Sequence, residues 1–220
     1  MDSGTVINCA LKAPFKLVLI APSGAGKSTL VLNMLHCVNK NINTLINRVF
    51  YVYKHDQPIY SEFSKSHPGV EFLNDIDRLD TLVDGSEPTL LILDDYQQYF
   101  TTKAGSEYLT DWFTKKSRHL NCSIIVLLHN AYADNLRTVS INATYTIIFD
   151  FVRDRSTIKH LAYQLYPNSS KQLVEAYLDA VSSSRRGFLF LDHHPDTFEK
   201  NRVRNFLYPR QKDMKYYIIQ

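Results

Sequence analysis

Short apolar runs alternate with amphipathic stretches along most of this chain. The runs are rich in β-branched and aromatic residues and predict strands at 16–21, 48–53, 70–73, 89–95, 122–128, 145–151 and 187–192. The intervening stretches predict helices at 28–38, 57–65, 106–118, 156–165 and 169–181. Strands that alternate with helices are typical of an α/β fold with a central, mostly parallel sheet flanked by helices. The nearly continuous apolar runs 89–95 and 122–128 predict strands buried on both faces of that sheet.

The composition is typical of a globular domain. Of the 220 residues, 45% are hydrophobic and 21% charged, which is enough for one domain with a sizeable core. We therefore predict a single domain over residues 1–220, with a short N-terminal arm at 1–12 and a C-terminal extension over about 187–220. No apolar run approaches the length of a membrane span, and the first residues lack the pattern of a signal peptide.

Neither the net charge nor the cysteines identify a partner. A net charge of +3 is too small to argue for nucleic acid, yet it is compatible with a local basic surface. Cys9, Cys37 and Cys122 lie far apart and include no CxxC pair. This odd, scattered set predicts buried free thiols in a reducing compartment rather than disulfides or a zinc site.

The first predicted strand leads directly into a phosphate-binding loop. The P-loop motif requires glycine, four residues and then Gly-Lys-Ser/Thr, and this chain reads Ala-Pro-Ser-Gly-Ala-Gly-Lys-Ser over 21–28. We expect the backbone N–H groups of 24–28 to surround a β-phosphate, because glycines tolerate the dihedral angles required. The predicted nucleotide-binding residues are Pro22, Ser23, Gly24, Ala25, Gly26, Lys27, Ser28 and Thr29.

Two side chains of this loop have separate predicted tasks. The ammonium group of Lys27 is expected to contact the β- and γ-phosphates, and the hydroxyl of Ser28 to take one coordination position of Mg²⁺. The following helix directs the partial positive charge of its N-terminus toward the phosphates. The motif therefore predicts that this chain binds a nucleoside triphosphate.

A pair of carboxylates ends the apolar strand 89–95. We expect this strand to lie next to the P-loop strand, with Asp94 as the Mg²⁺ ligand. Asp95 would then polarise a water molecule for attack on the γ-phosphate. An adjacent second acid favours a hydrolase over a kinase of small molecules, because a kinase transfers the phosphoryl group to a hydroxyl of its substrate.

The next strand, 122–128, ends in the polar pair His129 and Asn130. An imidazole or an amide at this position is suited to sense the γ-phosphate or to orient the attacking water; the alternative is a strand end that faces solvent. A P-loop strand, an acidic strand and a further strand with a polar tip together predict a P-loop NTPase of the additional-strand (ASCE, RecA-like) type.

Several arginines and lysines are candidates for further roles. Arg137, Arg153 and Arg155 lie beyond the sensor strand 122–128, and one of them is expected to complete the site of a neighbouring subunit. The alternative for Arg153 is a surface pair with Asp154. The basic clusters, which either contact DNA phosphates or face solvent, are Lys115-Lys116-Arg118-His119, Arg185-Arg186 and Arg202/Arg204/Arg210.

Four blocks of the sequence resemble those of a known family. They are 13–28 with the P-loop, 91–95 with the acidic pair, 123–130 with the sensor strand, and a long last block from 137 to 167. The last block contains Ser-Ile-Asn-Ala, Arg-Asp and Gln-Leu-Tyr-Pro in succession and is the most specific. The chain is similar to the viral genome-packaging ATPases of the FtsK–HerA superfamily. It most resembles the poxvirus-type ATPases and their relatives in Polinton/Maverick elements, adintoviruses and virophages.

This resemblance, which covers about residues 10–210, implies a function and a set of partners. It implies an oligomeric ring, a pentamer or hexamer, that hydrolyses ATP with Mg²⁺ and moves double-stranded DNA into a preformed capsid regardless of base sequence. The implied partners are DNA, further copies of the chain and capsid vertex proteins, without a membrane. The implied location is the cytoplasm or nucleus of a host cell, or the virion itself.

The resemblance also transfers roles by position, with one departure. Lys27 and Ser28 correspond to the residues that hold phosphate and Mg²⁺, Asp94 to the metal ligand and Asp95 to the residue that activates water. Relatives commonly have glutamine at the end of the sensor strand, where this chain has His129. Protonation of an imidazole near neutral pH would make such a sensor pH-dependent.

Two other functions remain open on the sequence alone. A P-loop nucleotide or nucleoside kinase would act on a small acceptor without any response to DNA, and Asp95 argues against it. A nucleotide-binding subunit with little turnover is favoured only by the histidine at position 129. The presence of Lys27, Ser28, Asp94 and Asp95 together argues against that loss of activity.

Overall fold

A computed structural model describes residues 10–130, 136–208 and 214–220. Within these ranges nine strands form a single sheet. The strands are β1 (Lys16–Ile20), β2 (Arg48–Tyr53), β3 (Val70–Leu73), β4 (Thr89–Asp94), β5 (Cys122–Leu128), β6 (Tyr145–Phe149), β7 (Phe188–Asp192), β8 (Val203–Arg204) and β9 (Tyr216–Tyr217). All seven predicted strands are present. The strands β8 and β9 have two residues each, which is too short to produce a hydrophobic pattern.

The helices cover both faces of the sheet. They are α1 (Lys27–Leu35), α2 (Val38–Asn41), α3 (Pro58–Ser66), α4 (Leu79–Leu82), α5 (Gln97–Phe100), α6 (Lys103–Asp111), α7 (Ser117–His119), α8 (Arg137–Ile141), α9 (Ser156–Leu165) and α10 (Ser170–Ser182). The predicted helix 28–38 ends at Leu35, and a separate short helix follows it. A π-helical turn, Trp112–Lys116, interrupts the predicted helix 106–118, and both Trp112 and Phe113 in this turn are fully buried.

The order of the strands across the sheet is β3-β2-β4-β5-β1-β6-β7-β8-β9. The strands β1 to β6 are all parallel, and β7 to β9 extend the sheet in antiparallel pairs. The prediction of an α/β fold with a central, mostly parallel sheet flanked by helices is therefore confirmed. The order also matches the additional-strand type, because β5 lies between the P-loop strand β1 and the acidic strand β4.

One detail of the predicted topology is wrong. We expected the acidic strand β4 to be the direct neighbour of the P-loop strand β1, but β5 pairs with β1 on one edge and with β4 on the other. The consequence is functional. Because the carboxyl ends of parallel strands lie at one edge of the sheet, the tip of β5 lies between the P-loop and the acidic pair.

Two apolar layers hold the helices against the sheet. Along β1, Leu17 and Leu19 face a core shared with Val31 and Leu35 of α1, whereas Val18 faces the opposite core. This alternation follows from the two-residue period of a strand. The second core contains the buried side chains of α6, α9 and α10. With α1 packed tightly on the sheet, the P-loop at its N-terminus has a fixed position.

Two further sequence expectations have definite outcomes in the described residues. Cys122 is a buried free thiol, as predicted, but Cys37 is exposed because it lies at the junction of α1 and α2; Cys9 lies outside the described residues. None of the helices within the described ranges combines the length and apolar character needed to cross a membrane.

Candidate nucleotide site at the P-loop

The P-loop connects β1 to α1 at the carboxyl edge of the sheet. Gly24 and Gly26 have φ angles of +76° and +104°, which lie in the left-handed region that L side chains rarely adopt. Gly26 is also the N-cap of α1, and its carbonyl accepts a 2.9 Å hydrogen bond from the amide of Leu30. The two glycines thus have the conformations that the motif requires.

The Lys27 side chain is folded back over the loop that contains it. Its Nζ atom donates hydrogen bonds to the carbonyl oxygens of Ala21, at 2.7 Å, and Pro22, at 3.2 Å. The same atom lies 2.9 Å from Nδ1 of His129. The ammonium group therefore lies on the concave side of the loop and is held by residues that directly follow β1 and β5.

Burial changes the acidity of Lys27. Only 8% of the residue is exposed, and the loss of solvation lowers its pKa from 10.5 to about 8. The nearby carboxylates of Asp94 and Asp95 oppose this shift because they favour the charged amine. Lys27 is thus a cation at neutral pH that deprotonates more readily than an exposed lysine.

Asp94 is buried, and one of its carboxylate oxygens is surrounded by hydroxyl groups. Its Oδ2 atom accepts hydrogen bonds from Ser28 Oγ at 2.7 Å, Tyr51 OH at 2.6 Å and Tyr60 OH at 2.9 Å. Burial, together with the negative charge of Asp94, raises the pKa of both tyrosines. Three donors on one oxygen fix the orientation of the carboxylate.

Ser28 and Asp94 form a donor set suited to Mg²⁺. Magnesium prefers oxygen ligands and is usually bound by one or two protein groups together with water and substrate phosphates. Within the described parts of the chain no cluster of three or more His, Cys, Asp or Glu residues is arranged to hold a metal ion. A Mg²⁺ ion at Ser28 and Asp94 would therefore take its remaining ligands from the nucleotide and from water.

Asp95 follows the strand in a different environment from that of Asp94. Its φ angle is +64°, a left-handed conformation that aspartate tolerates better than most residues, and its side chain is 33% exposed. Nε2 of His129 lies 3.4 Å from Oδ1, and Nε2 of His55 lies 4.0 Å from Oδ2. The left-handed turn thus directs the second carboxylate to a position between two imidazoles, where it is accessible to water.

Gln97 fixes the tip of the sensor strand. Its Oε1 atom accepts hydrogen bonds from the backbone amides of His129 and Asn130, the latter at 3.1 Å, and its Nε2 donates to the Asn130 carbonyl at 3.3 Å. Of the two candidate sensors, His129 has its side chain against Lys27 and Asp95. Asn130 is exposed, and its main chain is held by Gln97.

Two clefts border the P-loop. The first, the P-loop cleft, has a volume of about 280 Å³ and brings together Lys27, Ser28, Asp94, Asp95 and His129. The second, the side cleft, has a volume of about 260 Å³ and lies between α1 and the turn that joins α10 to β7. Gly26, Thr29 and Arg186 line both clefts. The predicted phosphate, metal and water-activating residues thus share one cavity.

The sequence of this chain matches the family described as Poxvirus A32 protein over residues 7–186. The chain belongs to this family. The resemblance to poxvirus-type packaging ATPases is therefore confirmed. No curated protein is significantly similar to the chain in sequence.

Solved structures with the same fold include genome packaging NTPases. One is B204 of Sulfolobus turreted icosahedral virus 2 with ATP-gammaS, at a TM-score of 0.56 and 20% identity, which covers 84% of this chain and 95% of that chain. Its complex with AMPPCP has a TM-score of 0.55 and 18% identity, with the same coverage. The DNA-packaging ATPase B204 of Sulfolobus Turreted Icosahedral Virus has a TM-score of 0.54 and 17% identity, covering 82% and 93%. At these identities the similarity establishes the fold of this A32-family member.

The three arginines proposed to act on a neighbouring subunit line neither of the two clefts. Arg137 begins α8, and Arg153 lies on the exposed segment between β6 and α9. Arg155 pairs with Asp150 of its own chain at 3.5 Å. An action of any of them on another subunit stays a prediction for this A32-family member.

The basic clusters differ in their surroundings. Lys116 pairs with Asp80 at 2.7 Å, whereas Arg204 is 3% exposed and pairs with Asp192 at 3.4 Å. Arg204 therefore fits neither alternative given for its cluster, because a buried guanidinium neither faces solvent nor reaches a duplex. Arg210 lies outside the described residues. Arg186 is exposed, and its side chain lies beside Gly26 of the P-loop.

The functional residues that the sequence did not reveal share a common feature. Each is placed at the site by tertiary contacts with residues that are distant from it in sequence. Tyr51 and Tyr60, for example, look like ordinary core aromatics, since nothing in the sequence tells which strand pairs with β4. Tyr51 reaches Asp94 because β2 is the neighbour of β4, and Tyr60 lies on α3, which follows β2. The further members of this set are His55 and Gln97, and the sequence indicated Arg186 only as part of a basic cluster.

Proposed function

We propose that this A32-family chain is an ATP-hydrolysing motor that moves double-stranded DNA into a viral capsid. Family membership carries the proposal. Two properties of the site support the hydrolytic step: Lys27, Ser28 and Asp94 meet in one cleft, and a second, accessible carboxylate at Asp95 adjoins them. A kinase of small molecules has no evident use for Asp95.

The chemistry begins with binding at the P-loop. The triphosphate occupies the concave side of the loop, where Lys27 exchanges its contacts with Ala21 and Pro22 for phosphate oxygens. Ser28 and Asp94 would hold a Mg²⁺ ion beside the phosphates. When bound, the ion would supply positive charge that offsets the negative charge of the nucleotide. The hydroxyl groups of Tyr51 and Tyr60 keep Asp94 in the orientation that this contact needs.

Hydrolysis itself is assigned to Asp95 and His129. The Asp95 carboxylate accepts a proton from a water molecule whose oxygen attacks the γ-phosphorus. The bond between that phosphorus and the β–γ bridging oxygen breaks, and ADP and inorganic phosphate are the products. His129 is hydrogen-bonded to Lys27 and lies beside Asp95, so it positions the base relative to the phosphate.

The assembly is the part of the proposal that depends most on the family. We propose a homo-oligomeric ring, a pentamer or a hexamer, formed from single-domain chains with an N-terminal arm at 1–12 and an extension at 187–220. DNA would be bound through its phosphates without reading of the bases, so binding should weaken as salt is added. Capsid vertex proteins are the further partners. The proposed place of action is the host cytoplasm or nucleus, or the virion.

The experiment that tests this function is steady-state ATP hydrolysis with and without long double-stranded DNA. Lys27→Ala serves as the blank, and Lys40→Ala, an exposed lysine on α2, is the matched control. We expect DNA to stimulate ATP hydrolysis by the wild-type chain and added salt to suppress this stimulation. Hydrolysis should be lost in Lys27→Ala and retained in Lys40→Ala. Activity of the wild-type chain that equals the Lys27→Ala blank, although ATP is bound, would favour a binding subunit over a motor.

A further inference from the structure

Arg186 packs against the P-loop, although the two are far apart in sequence. A Cβ atom placed on Gly26 would lie 3.1 Å from Cδ, 3.3 Å from Nε and 3.5 Å from Cζ of Arg186. The guanidinium end of the side chain therefore lies over the point at which the P-loop turns into α1. The missing side chain at Gly26 leaves room for it.

The fold holds Arg186 at this point through a tight turn between α10 and β7. A Cβ atom on Gly187 would lie 2.5 Å from the carbonyl oxygens of Ala180 and Val181, so only glycine allows the chain to pass so close to the end of α10. Phe188 of β7 pairs with Phe149 of β6, at the carboxyl edge of the parallel strands. The turn is thereby held next to the P-loop, which lies at the same edge.

No residue that the structure describes neutralises the charge of Arg186 by direct contact. Among the residues that the structure describes, Arg186 forms neither an ion pair nor a hydrogen bond, in contrast to Arg155, Arg202 and Arg204. A guanidinium group is always charged and presents a planar set of donors that matches a phosphate. Lys27 and Arg186 thus flank the P-loop with two cationic groups.

The side cleft beyond Arg186 has the character of a nucleoside site. Its walls include the apolar side chains of Leu30, Phe149 and Phe188, and its rim carries polar side chains such as Asn33 and Ser184. Binding sites for small organic molecules usually combine apolar walls with a few polar groups. A nucleotide has the same division, with charged phosphates at one end and a flat base and sugar at the other.

We infer that Arg186 clamps the nucleotide phosphates in cis, and that the side cleft holds the nucleoside of the same molecule. The inference rests on the proposed function, because it concerns the nucleotide that this motor would hydrolyse. Arg186 lines both clefts and so lies at the junction between phosphates and nucleoside. Its role is therefore nucleotide binding within one chain, and contact with DNA phosphates is not needed to explain its position.

The test measures binding of two ligands to the full chain by titration calorimetry, with Mg²⁺ present throughout. ATP carries both parts of the nucleotide, and inorganic tripolyphosphate carries only the phosphates. Three variants are compared with the wild type: Arg186→Ala removes the clamp, Arg185→Ala is the matched control because Arg185 lines neither cleft, and Ser184→Trp fills the side cleft. Thermal unfolding of each variant verifies that it is folded.

The inference expects a different pattern from each variant. Arg186→Ala should weaken the binding of both ligands by about tenfold or more, as expected for the loss of hydrogen bonds to a charged group. Arg186→Lys should recover part of this loss. Arg185→Ala should remain within about twofold of the wild type. Ser184→Trp should weaken the binding of ATP by about tenfold and leave the binding of tripolyphosphate unchanged, since only the nucleoside occupies the side cleft.

Several results would overturn the inference. Equal losses in Arg186→Ala and Arg185→Ala would indicate a general effect of positive charge. Unchanged binding in Arg186→Ala would show that Arg186 does not clamp the phosphates, and it would not contradict the proposed ATPase function. Equal weakening of ATP and tripolyphosphate by Ser184→Trp would exclude the side cleft as the nucleoside site. A wild-type chain that binds neither ligand would overturn the proposed function and this inference together.

Discussion

The Nζ atom of Lys27 lies 2.9 Å from the Nδ1 atom of His129. A charged lysine can only donate a hydrogen bond, so Nδ1 accepts it, and this contact favours the tautomer that carries its proton on Nε2. Nε2 in turn lies 3.4 Å from the Asp95 carboxylate. One ring therefore connects the residue that binds phosphate to the residue proposed to activate water.

This connection predicts that His129 matters for turnover rather than for binding. His129→Ala should lower kcat for ATP by at least about tenfold, because the base is no longer oriented relative to the phosphate. ATP binding measured by calorimetry should change by less than about twofold. His160→Ala, on α9, is the matched control. A larger loss of kcat in Asn130→Ala than in His129→Ala would identify the amide as the sensor instead.

Asp94 and Asp95 are adjacent, yet they are predicted to differ when substituted. Asp95→Asn should retain ATP binding while kcat falls by about 10²–10⁴, the usual range for removal of a general base. Asp94→Asn should weaken the Mg²⁺-dependent part of ATP binding, because Asp94 holds the Ser28 hydroxyl. Binding and single-turnover hydrolysis are measured for both variants. If Asp95→Asn loses binding as well, Asp95 belongs to the metal site or to the fold.

The tyrosine pair on Asp94 predicts a link between stability and the use of Mg²⁺. Tyr60→Phe and Tyr51→Phe each remove one hydroxyl from Oδ2 and leave the rings in place, so each should lower the free energy of unfolding by about 1 kcal/mol. Each should also raise the Mg²⁺ concentration needed for half-maximal ATP binding. Urea unfolding and Mg²⁺ titrations provide the two measurements.

Tyr53→Phe is the control for this pair. Its ring contacts Tyr60 at a centroid distance of 5.0 Å, but its hydroxyl is not among the donors to Asp94. It should therefore match the wild type in the Mg²⁺ titration. A shift in Tyr53→Phe as large as that in Tyr60→Phe would mean that aromatic packing, and not the hydrogen bond, positions Asp94.

The lowered pKa of Lys27, about 8, predicts how ATP affinity depends on pH. Phosphate binds the protonated amine and raises its pKa in the complex, so binding takes up a proton wherever free Lys27 is neutral. Affinity should be constant below about pH 8 and should fall toward tenfold per pH unit above it. Calorimetry between about pH 7 and 9.5 in buffers of different ionisation enthalpy would detect the proton uptake. An ATP affinity that stays constant across this pH range would contradict a lowered pKa of Lys27.

The arginine proposed to act in trans is tested by mixing inactive subunits. A chain with Arg153→Ala keeps its own P-loop, and a chain with Lys27→Ala keeps its arginine, so a mixed ring should regain part of the hydrolysis that each lacks alone. The same mixture is made with Arg137→Ala and with Arg155→Ala. Failure of all three mixtures to recover activity would exclude these arginines from a shared site.

The sequence determined the local structure of this protein and the identity of its phosphate-binding loop. The apolar runs are sufficient to predict all seven of the longer strands, because a strand buried within a sheet needs continuous apolar residues whichever strands are its neighbours. The P-loop is equally local. Gly24 and Gly26 are needed for the backbone of that loop itself, so their spacing from Lys27 is visible in the sequence alone.

Only the tertiary structure decided which distant residues meet the P-loop. Strand order depends on packing between elements far apart in sequence, and the sequence led us to place β4, not β5, beside β1. That order brings His129 between Lys27 and Asp95, and the pairing of β2 with β4 brings Tyr51 to Asp94. Arg186 reaches Gly26 through a turn near the end of the chain. Such contacts join residues that are separated by long stretches of chain, and a local sequence pattern does not predict them.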